Sequence, residues 1–398
     1  MTLLDRLYNL SDVRDAAQSR LPKGVFEFID RGTEDEDGLA NNRAAFLRVK
    51  LLTRAAVDVS GRSTACTLFG KESAMPLVIA PTGAAGLVWY HGELELARAA
   101  AEFGVPFTLA TRSMTSIEDI ARLAGGTLWF QLYIWTQREL SYQLVDRAQA
   151  AGYKALVVTL DVPVMPNREY NRRNGFSLPW APNARSIADM LQHPRWLIGT
   201  MGRYLATTGM PRYENHSGEY REKITKAKAL RGDNVTWDDI ALLRRRWKGT
   251  LIVKGILRAE DAVAAVLAGA DAVVVSNHGG RCLDSAVATL DVLPEIVTAV
   301  SRDARVLLDS GVRRGSDIVK ALALGASAVM SGRPCLYGLG VAGRPGAGKV
   351  LQLLQSEMST TMGMLGTPRV ANIDDGLIYR RPVFQNNPHS VFLEEKLT

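Results

Sequence analysis

The chain is poor in cysteine and histidine and has no long apolar run, and each shortage removes a class of protein. Its three cysteines, Cys66, Cys282 and Cys335, are far apart, odd in number and form no CxxC pair. That argues against a disulfide framework and a thiolate zinc site, so no metal is expected, and it fits a reducing compartment. Nowhere do the roughly 20 successive apolar residues needed to span a bilayer occur. The opening stretch, MTLLDRLYNLSDVRD, mixes acids among its apolar residues and lacks a signal-peptide core. The expected location is therefore the cytoplasm, or the inner face of the cell membrane without crossing it. There is no long Lys/Arg run and no zinc-finger or RNP motif, so nucleic acid is not an expected partner. The net charge of +7, from 48 Lys+Arg against 41 Asp+Glu, instead favours small anionic partners, a phosphate-bearing cofactor or an acidic membrane surface.

What is present points to a large soluble α/β protein. Hydrophobic residues make up 47% and charged residues 22% of the 398, as in a globular protein with a sizeable core. From residue 75 the punctuation becomes regular. Apolar runs recur at 77–80, 107–110, 128–132, 156–160, 251–253, 272–275, 306–308 and 328–330. Between most of them lie helical patterns such as GELELARAAAEFG, QRELSYQLVDRAQAAG and GSDIVKALALGA. Eight short strands alternating with helices predict a (β/α)₈ TIM barrel. A doubly wound open sheet is the alternative that periodicity leaves open, and strand count favours the barrel. The expected organisation is one domain over 1–398: an amino-terminal helical cap (1–74), the barrel (75–366) and a carboxy-terminal tail (367–398). After the fourth strand the rhythm stops over 176–235, an insertion containing HPRWLIGTMGRYL. Connections of this length are usually lids or binding segments.

The chemistry concentrates in VVVSNHGGRCL, residues 273–283. A β-branched run covered on both faces ends in Ser276 and Asn277, then delivers His278, two glycines and Arg281 to one place. Catalytic groups of such barrels sit where the strands end, so the other strand ends are read with it. They supply Pro81, Thr82 and Gly83; Gln131 and Tyr133; Thr159 and Asp161, with Arg168 shortly after; and Lys254. Strands seven and eight supply LDSGVRRG and MSGRP, whose Gly311, Arg313, Gly332 and Arg333 suit the phosphate site that barrels build there. Two nucleotide-like patterns, GxGxxG at 338–343 and GxxxxGK at 343–349, lack the strand and the Ser/Thr they need and are read as loop glycines before the last helix.

The motif SNHGGRxLD resembles the active-site signature of the FMN-dependent α-hydroxy-acid dehydrogenases and oxidases. The resemblance runs over about 21–366, and LPKxVxxxxxxGxEDExG with GSDIVKALALGA points to the mandelate- and lactate-oxidising members. It implies FMN as cofactor and oxidation of a small-molecule (S)-2-hydroxy acid to the 2-oxo acid, with a quinone or oxygen as electron acceptor. It makes His278 the base, Asp161 its charge partner, Arg168 and Arg281 the carboxylate binders, and Tyr133 a hydrogen-bond donor to substrate. Lys254 falls beside the flavin. Pro81, Thr82, Gly83, Ala110, Gln131, Thr159, Ser276, Asp309, Ser310, Gly311, Val312, Arg313, Gly332 and Arg333 fall at the family's FMN contacts.

Four positions depart from the family pattern. Phe28 replaces a tyrosine whose hydroxyl helps hold the substrate carboxylate, Cys282 replaces a glutamine, and Ala110 stands where relatives often carry a small hydroxyl. Arg112 occupies a usually uncharged pocket position; it either pairs with Glu118 at the surface, or recovers the lost carboxylate contact or takes a second anionic group. The HPxW segment resembles one in membrane-associated members and suggests peripheral membrane contact through 176–235, against a soluble lid or an oligomer contact. A homo-tetramer is the assembly the resemblance suggests. The competing readings are a soluble oxygen-using oxidase, a non-redox FMN barrel and a scaffold on a decayed barrel.

Overall fold

The computed structural model describes residues 2–176, 183–215, 232–300 and 302–380. The parts of the insertion at 177–182 and 216–231, and the tail from 381, therefore lie outside the described residues. Eight parallel strands close into a barrel: β1 (Leu77–Ile79), β2 (Phe107–Ala110), β3 (Leu128–Leu132), β4 (Ala155–Thr159), β5 (Thr250–Ile256), β6 (Ala272–Val275), β7 (Arg305–Leu308) and β8 (Ala328–Ser331), with β8 returning to β1. The open-sheet alternative is thereby excluded.

Strand alternation explains both the apolar runs and the site. Leu77, Ile79, Phe130, Leu156, Val158, Val273 and Val275 face the surrounding helices, while Val78, Trp129, Val157, Ile252, Val274, Leu307 and Met330 fill the barrel interior. Two positions beyond those interior residues, the same faces carry Ala80, Gln131, Thr159, Lys254, Ser276, Asp309 and Gly332. The apolar core thus ends in a mostly polar top layer. At the opposite end a hairpin, Cys66–Leu68 with Lys71–Ser73, sets Phe69 edge-on to Trp129, ring centroids 5.6 Å apart, and plugs the barrel floor.

Three helices precede the barrel: Leu10–Arg20, Lys23–Asp30 and Asp37–Arg48. Asn9 starts the first by accepting bonds from the backbone amides of Ser11 and Asp12. The third was not distinguished in the sequence pattern, and it docks the cap on the strand ends. Asn42 and Asn277 exchange reciprocal side-chain bonds of 2.9 Å. Arg43 bonds the Gly311 carbonyl and Asp317, and Asp284 accepts from the amides of Asp35 and Gly38.

Of the nucleotide-like glycines, Gly343 lies in the bend between two helices, φ +63°, but the others are not in loops. Gly338 and Gly340 lie inside the helix Arg333–Ala342, and Gly346 and Gly348 inside Arg344–Met364. A side chain on Gly338 or Gly346 would collide with the carbonyl of the other, so these two are small because two helices cross backbone against backbone. In the insertion, Trp196, Met201 and Tyr204 of the HPRWLIGTMGRYL stretch are buried against the barrel, and Trp196 donates its indole N–H to the Leu87 carbonyl at 2.7 Å. The outward face carries Ile187, Leu191, Ile198 and Leu205, which are 46%, 65%, 71% and 56% exposed. Among the described residues no helix is long and apolar enough to cross a membrane.

Candidate active site

Above the polar layer opens a cavity of about 610 Å³, well within the range of small-molecule and cofactor sites. All the site residues singled out in the sequence line it except Asp161 and Ser276. Those two sit behind the wall and organise it.

His278 leaves β6 in a left-handed conformation, φ +57°, followed by Gly279 at +69° and Gly280 at +68°. A non-glycine residue held there is strained. Space demands a glycine at 280 as well, where the neighbour is backbone. A side chain on Gly280 would come within 2.6 Å of the Leu39 backbone nitrogen, and one on Gly279 within 2.5 Å of the Arg333 guanidinium. The His278 backbone amide is held by the Ser276 hydroxyl at 3.1 Å and Gly279 by the Ser310 hydroxyl at 2.8 Å.

His278 Nδ1 meets Asp161 Oδ1 at 2.7 Å, which leaves Nε2 as the ring nitrogen free to face the cavity. Burial works against the imidazolium, but the Asp161 carboxylate overrides it and holds the His278 pKa above the ordinary range. Burial likewise opposes the Asp161 carboxylate, yet His278 and Lys254 keep it ionised well below the usual range. Lys254 lies 3.4 Å from Asp161 and 3.2 Å from Asp309. The two carboxylates hold this fully buried ammonium charged against the cost of burial. The Ser276 hydroxyl, 2.8 Å from the Lys254 amine, serves this network rather than the cavity wall.

Sequence reasoning missed Gly255. The register of β5 against β6 shifts between Lys254 and Ile256, and Gly255 sits there with φ +106°. A side chain would come within 2.7 Å of the Asp161 Cβ. A glycine inside an otherwise apolar strand was the available signal.

The arginines fall into three groups. Arg281 donates to the carbonyls of Arg31 and Phe28 at 2.8 and 2.7 Å and lies 5.6 Å from the centre of the Phe28 ring, so Phe28 supports it through cation–π contact. Arg168 donates to the Arg281 carbonyl at 3.3 Å, and its buried Nε has no hydrogen-bond partner among the described residues. Burial and the adjacent Arg281 push its pKa down to about 10, which still leaves it charged at neutral pH. Arg313 and Arg333 form the second group. Among the described residues Arg333 donates only to the carbonyls of Asp30 and Arg31, and burial with Arg281 pushes its pKa down to about 9. The third is Arg112. Glu118, its alternative surface partner, pairs instead with Arg147 through bonds of 2.8 and 2.9 Å, and Arg112 lines the cavity.

These residues fit the cofactor the motif implies. Buried guanidiniums satisfied only by neutral carbonyls suit a phosphate, beside the start of the helix Arg333–Ala342, whose dipole favours an anion. Gln131, fixed by the Thr111 amide at 3.2 Å and the Thr159 hydroxyl at 3.1 Å, presents an oriented amide on the wall. A metal fits less well. Asp161, His278 and Cys282 bring three ligand atoms within 4.8 Å of one another, but Lys254 and the adjacent arginines disfavour a further cation.

A family model described as FMN-dependent dehydrogenase matches residues 17–380. (S)-Mandelate dehydrogenase of Pseudomonas putida is 41% identical, over 96% of each chain. L-lactate oxidase of Nostoc sp. is 40% identical, over 95% of this chain and all of the relative, and L-lactate dehydrogenase of Pectobacterium atrosepticum 40%, over 92% and 96%. The crystal structure of a monotopic membrane protein, (S)-mandelate dehydrogenase, superposes with a TM-score of 0.89 at 41% identity, covering 94% of this chain and 99% of that one.

Proposed function

The chain belongs to the FMN-dependent dehydrogenase family, and from that premise we propose that it oxidises an (S)-2-hydroxy acid to the 2-oxo acid, with FMN as cofactor. One observation carries the substrate class: the His278–Asp161 pair and the arginines Arg168 and Arg281 meet on one cavity. A base beside two guanidiniums suits a hydroxyl next to a carboxylate.

When bound, FMN supplies the acceptor for two electrons. Arg313 and Arg333, with Gly311 and Gly332, hold its phosphate; Pro81, Thr82, Gly83, Ala110, Gln131 and Thr159 line the remainder of its place, with Asp309, Ser310 and Val312. Arg168 and Arg281 bind the substrate carboxylate, where planar guanidiniums allow paired hydrogen bonds, and Tyr133 donates to a substrate oxygen. His278 takes the hydroxyl proton at Nε2, and Asp161 stabilises the imidazolium that results. Lys254 favours negative charge at the cavity floor. Cys282 and Phe28 leave this set in place.

The outward apolar face of Ile187, Leu191, Ile198 and Leu205 supports docking on the cytoplasmic side of the membrane, and with it a quinone as acceptor. Leu242, Val263 and Leu267, exposed on two adjacent outer helices, support self-association, for which a tetramer is the proposed state. The whole chain is read as one domain, cap, barrel and insertion together.

The test is to purify the yellow protein, exclude air, and add (S)-mandelate, then (S)-lactate, while following the flavin absorbance. Bleaching supports the reading, and oxygen uptake without added quinone would make the acceptor oxygen. A flavin that no hydroxy acid bleaches would overturn the proposed reaction.

A further inference from the structure

One cation of the cavity has no assigned work. Lys254 is matched by Asp161 and Asp309, Arg313 and Arg333 suit a phosphate, and Arg168 and Arg281 together suit one carboxylate. Arg112 remains. It follows β2 directly and its carbonyl accepts the Ala84 amide at 2.9 Å, which ties it to the Pro81–Gly83 turn on the same wall. Its side chain is half-buried, and its guanidinium makes no hydrogen bond or ion pair with any described residue. Glu118 is taken by Arg147. The buried Tyr213, a neutral phenol, lies near enough to feel the charge of Arg112. Asp233 also lines the cavity, but it forms no ion pair with Arg112 among the described residues. A partly desolvated guanidinium without a counter-charge is unfavourable until an anion arrives.

Phe28 adds an independent reason. It occupies the cavity wall beside Arg281 without a hydroxyl, so the carboxylate at the reacting end has one donor fewer. A substrate anchored at its far end would regain that loss.

We propose that the substrate is a 2-hydroxydicarboxylic acid, its first carboxylate on Arg168 and Arg281 and its second on Arg112. The inference rests on the reading of the site as a hydroxy-acid centre. The reaction balances as for any such acid: the C2–H and O–H bonds break and the C2–O bond becomes a carbonyl, the hydroxyl proton going to His278, while the C2 hydrogen and the electron pair would be taken up by bound FMN.

The experiment uses the FMN-loaded protein without air. Reduction rates are compared for (S)-malate and (S)-2-hydroxyglutarate against (S)-2-hydroxybutyrate and (S)-2-hydroxypentanoate, their uncharged-tail counterparts. The dicarboxylates are expected to give kcat/KM at least about tenfold higher. Arg112→Leu is expected to lower the ratio of dicarboxylate to monocarboxylate kcat/KM roughly 100-fold, the size of losing one partner of a desolvated charge pair. Calorimetric titration of the wild-type protein with 2-oxoglutarate and 2-oxopentanoate keeps the proposal testable should the variant not fold. The dianion is expected to bind more tightly and to weaken more steeply with salt. Equal ratios in wild type and variant, or equal affinities for the two oxo acids, would overturn the dicarboxylate assignment while leaving the hydroxy-acid reading intact. Bleaching by neither kind of acid would remove both.

Discussion

The strand ends of the barrel and the insertion after β4 use buried groups in opposite ways. At the strand ends, polar side chains hold one another: Ser276, Lys254, Asp161, Asp309 and His278 form one connected network. In the insertion, aromatic residues such as Trp196 and Tyr204 face inward, and apolar residues such as Ile198 and Leu205 are left exposed among the described residues. The first region is complete in itself and ready for a small ligand. For the second, the proposed partner is an apolar surface outside the chain. The proposed chemistry and the proposed membrane contact thus draw on separate residues, and each can be disturbed without the other.

The sharpest break is at the base. His278→Gln is expected to slow flavin reduction by about 10²–10⁴-fold while the protein stays yellow; retained reduction would remove His278 from its role. Next comes Asp161→Asn. Because Asp161 raises the His278 pKa, and His278 must be unprotonated to accept a proton, the acid limb of kcat/KM should move to lower pH as the reduction rate falls. An unmoved limb would mean that another group titrates. Gly255→Ala adds a side chain at positive φ against Asp161, and should cost about 1–3 kcal/mol of stability, read by thermal or denaturant unfolding of the FMN-loaded protein. Phe28→Tyr restores a donor; one hydrogen bond to a charged group contributes about 1.5–3 kcal/mol, so monocarboxylates should bind roughly tenfold or more tightly. The smallest catalytic effect belongs to the other region: Ile198→Ser with Leu205→Ser should reduce flotation with anionic vesicles and leave reduction in solution as it was.

The barrel was legible because its signal is periodic and repeated eight times, and the base and arginines because they follow strands whose ends converge. What was not legible depended on approach between distant segments. That the Ser276 hydroxyl meets Lys254 depends on the register between β5 and β6, which shifts beside Lys254. Gly338 and Gly346 looked like loop residues until two helices were seen to cross there. The HPRWLIGTMGRYL composition suggested an interfacial segment as a whole, yet its aromatics are core residues and its exposed apolar face extends back to Ile187 on the preceding helix. The Arg112 alternatives were separated by Arg147, a residue 35 positions along the chain.

The end of the cap helix Lys23–Asp30 carries a further consequence. The carbonyls of Phe28, Asp30 and Arg31 receive Arg281, the proposed carboxylate binder, and Arg333, the proposed phosphate binder. A helix has unpaired carbonyls and partial negative charge at this end, and here two guanidiniums complete it. Docking of the cap and occupation of either anion site are therefore linked equilibria. A ligand that draws on one arginine changes how firmly the amino-terminal helices are held, and a change in how those helices are held alters ligand binding by the same factor and in the same sense.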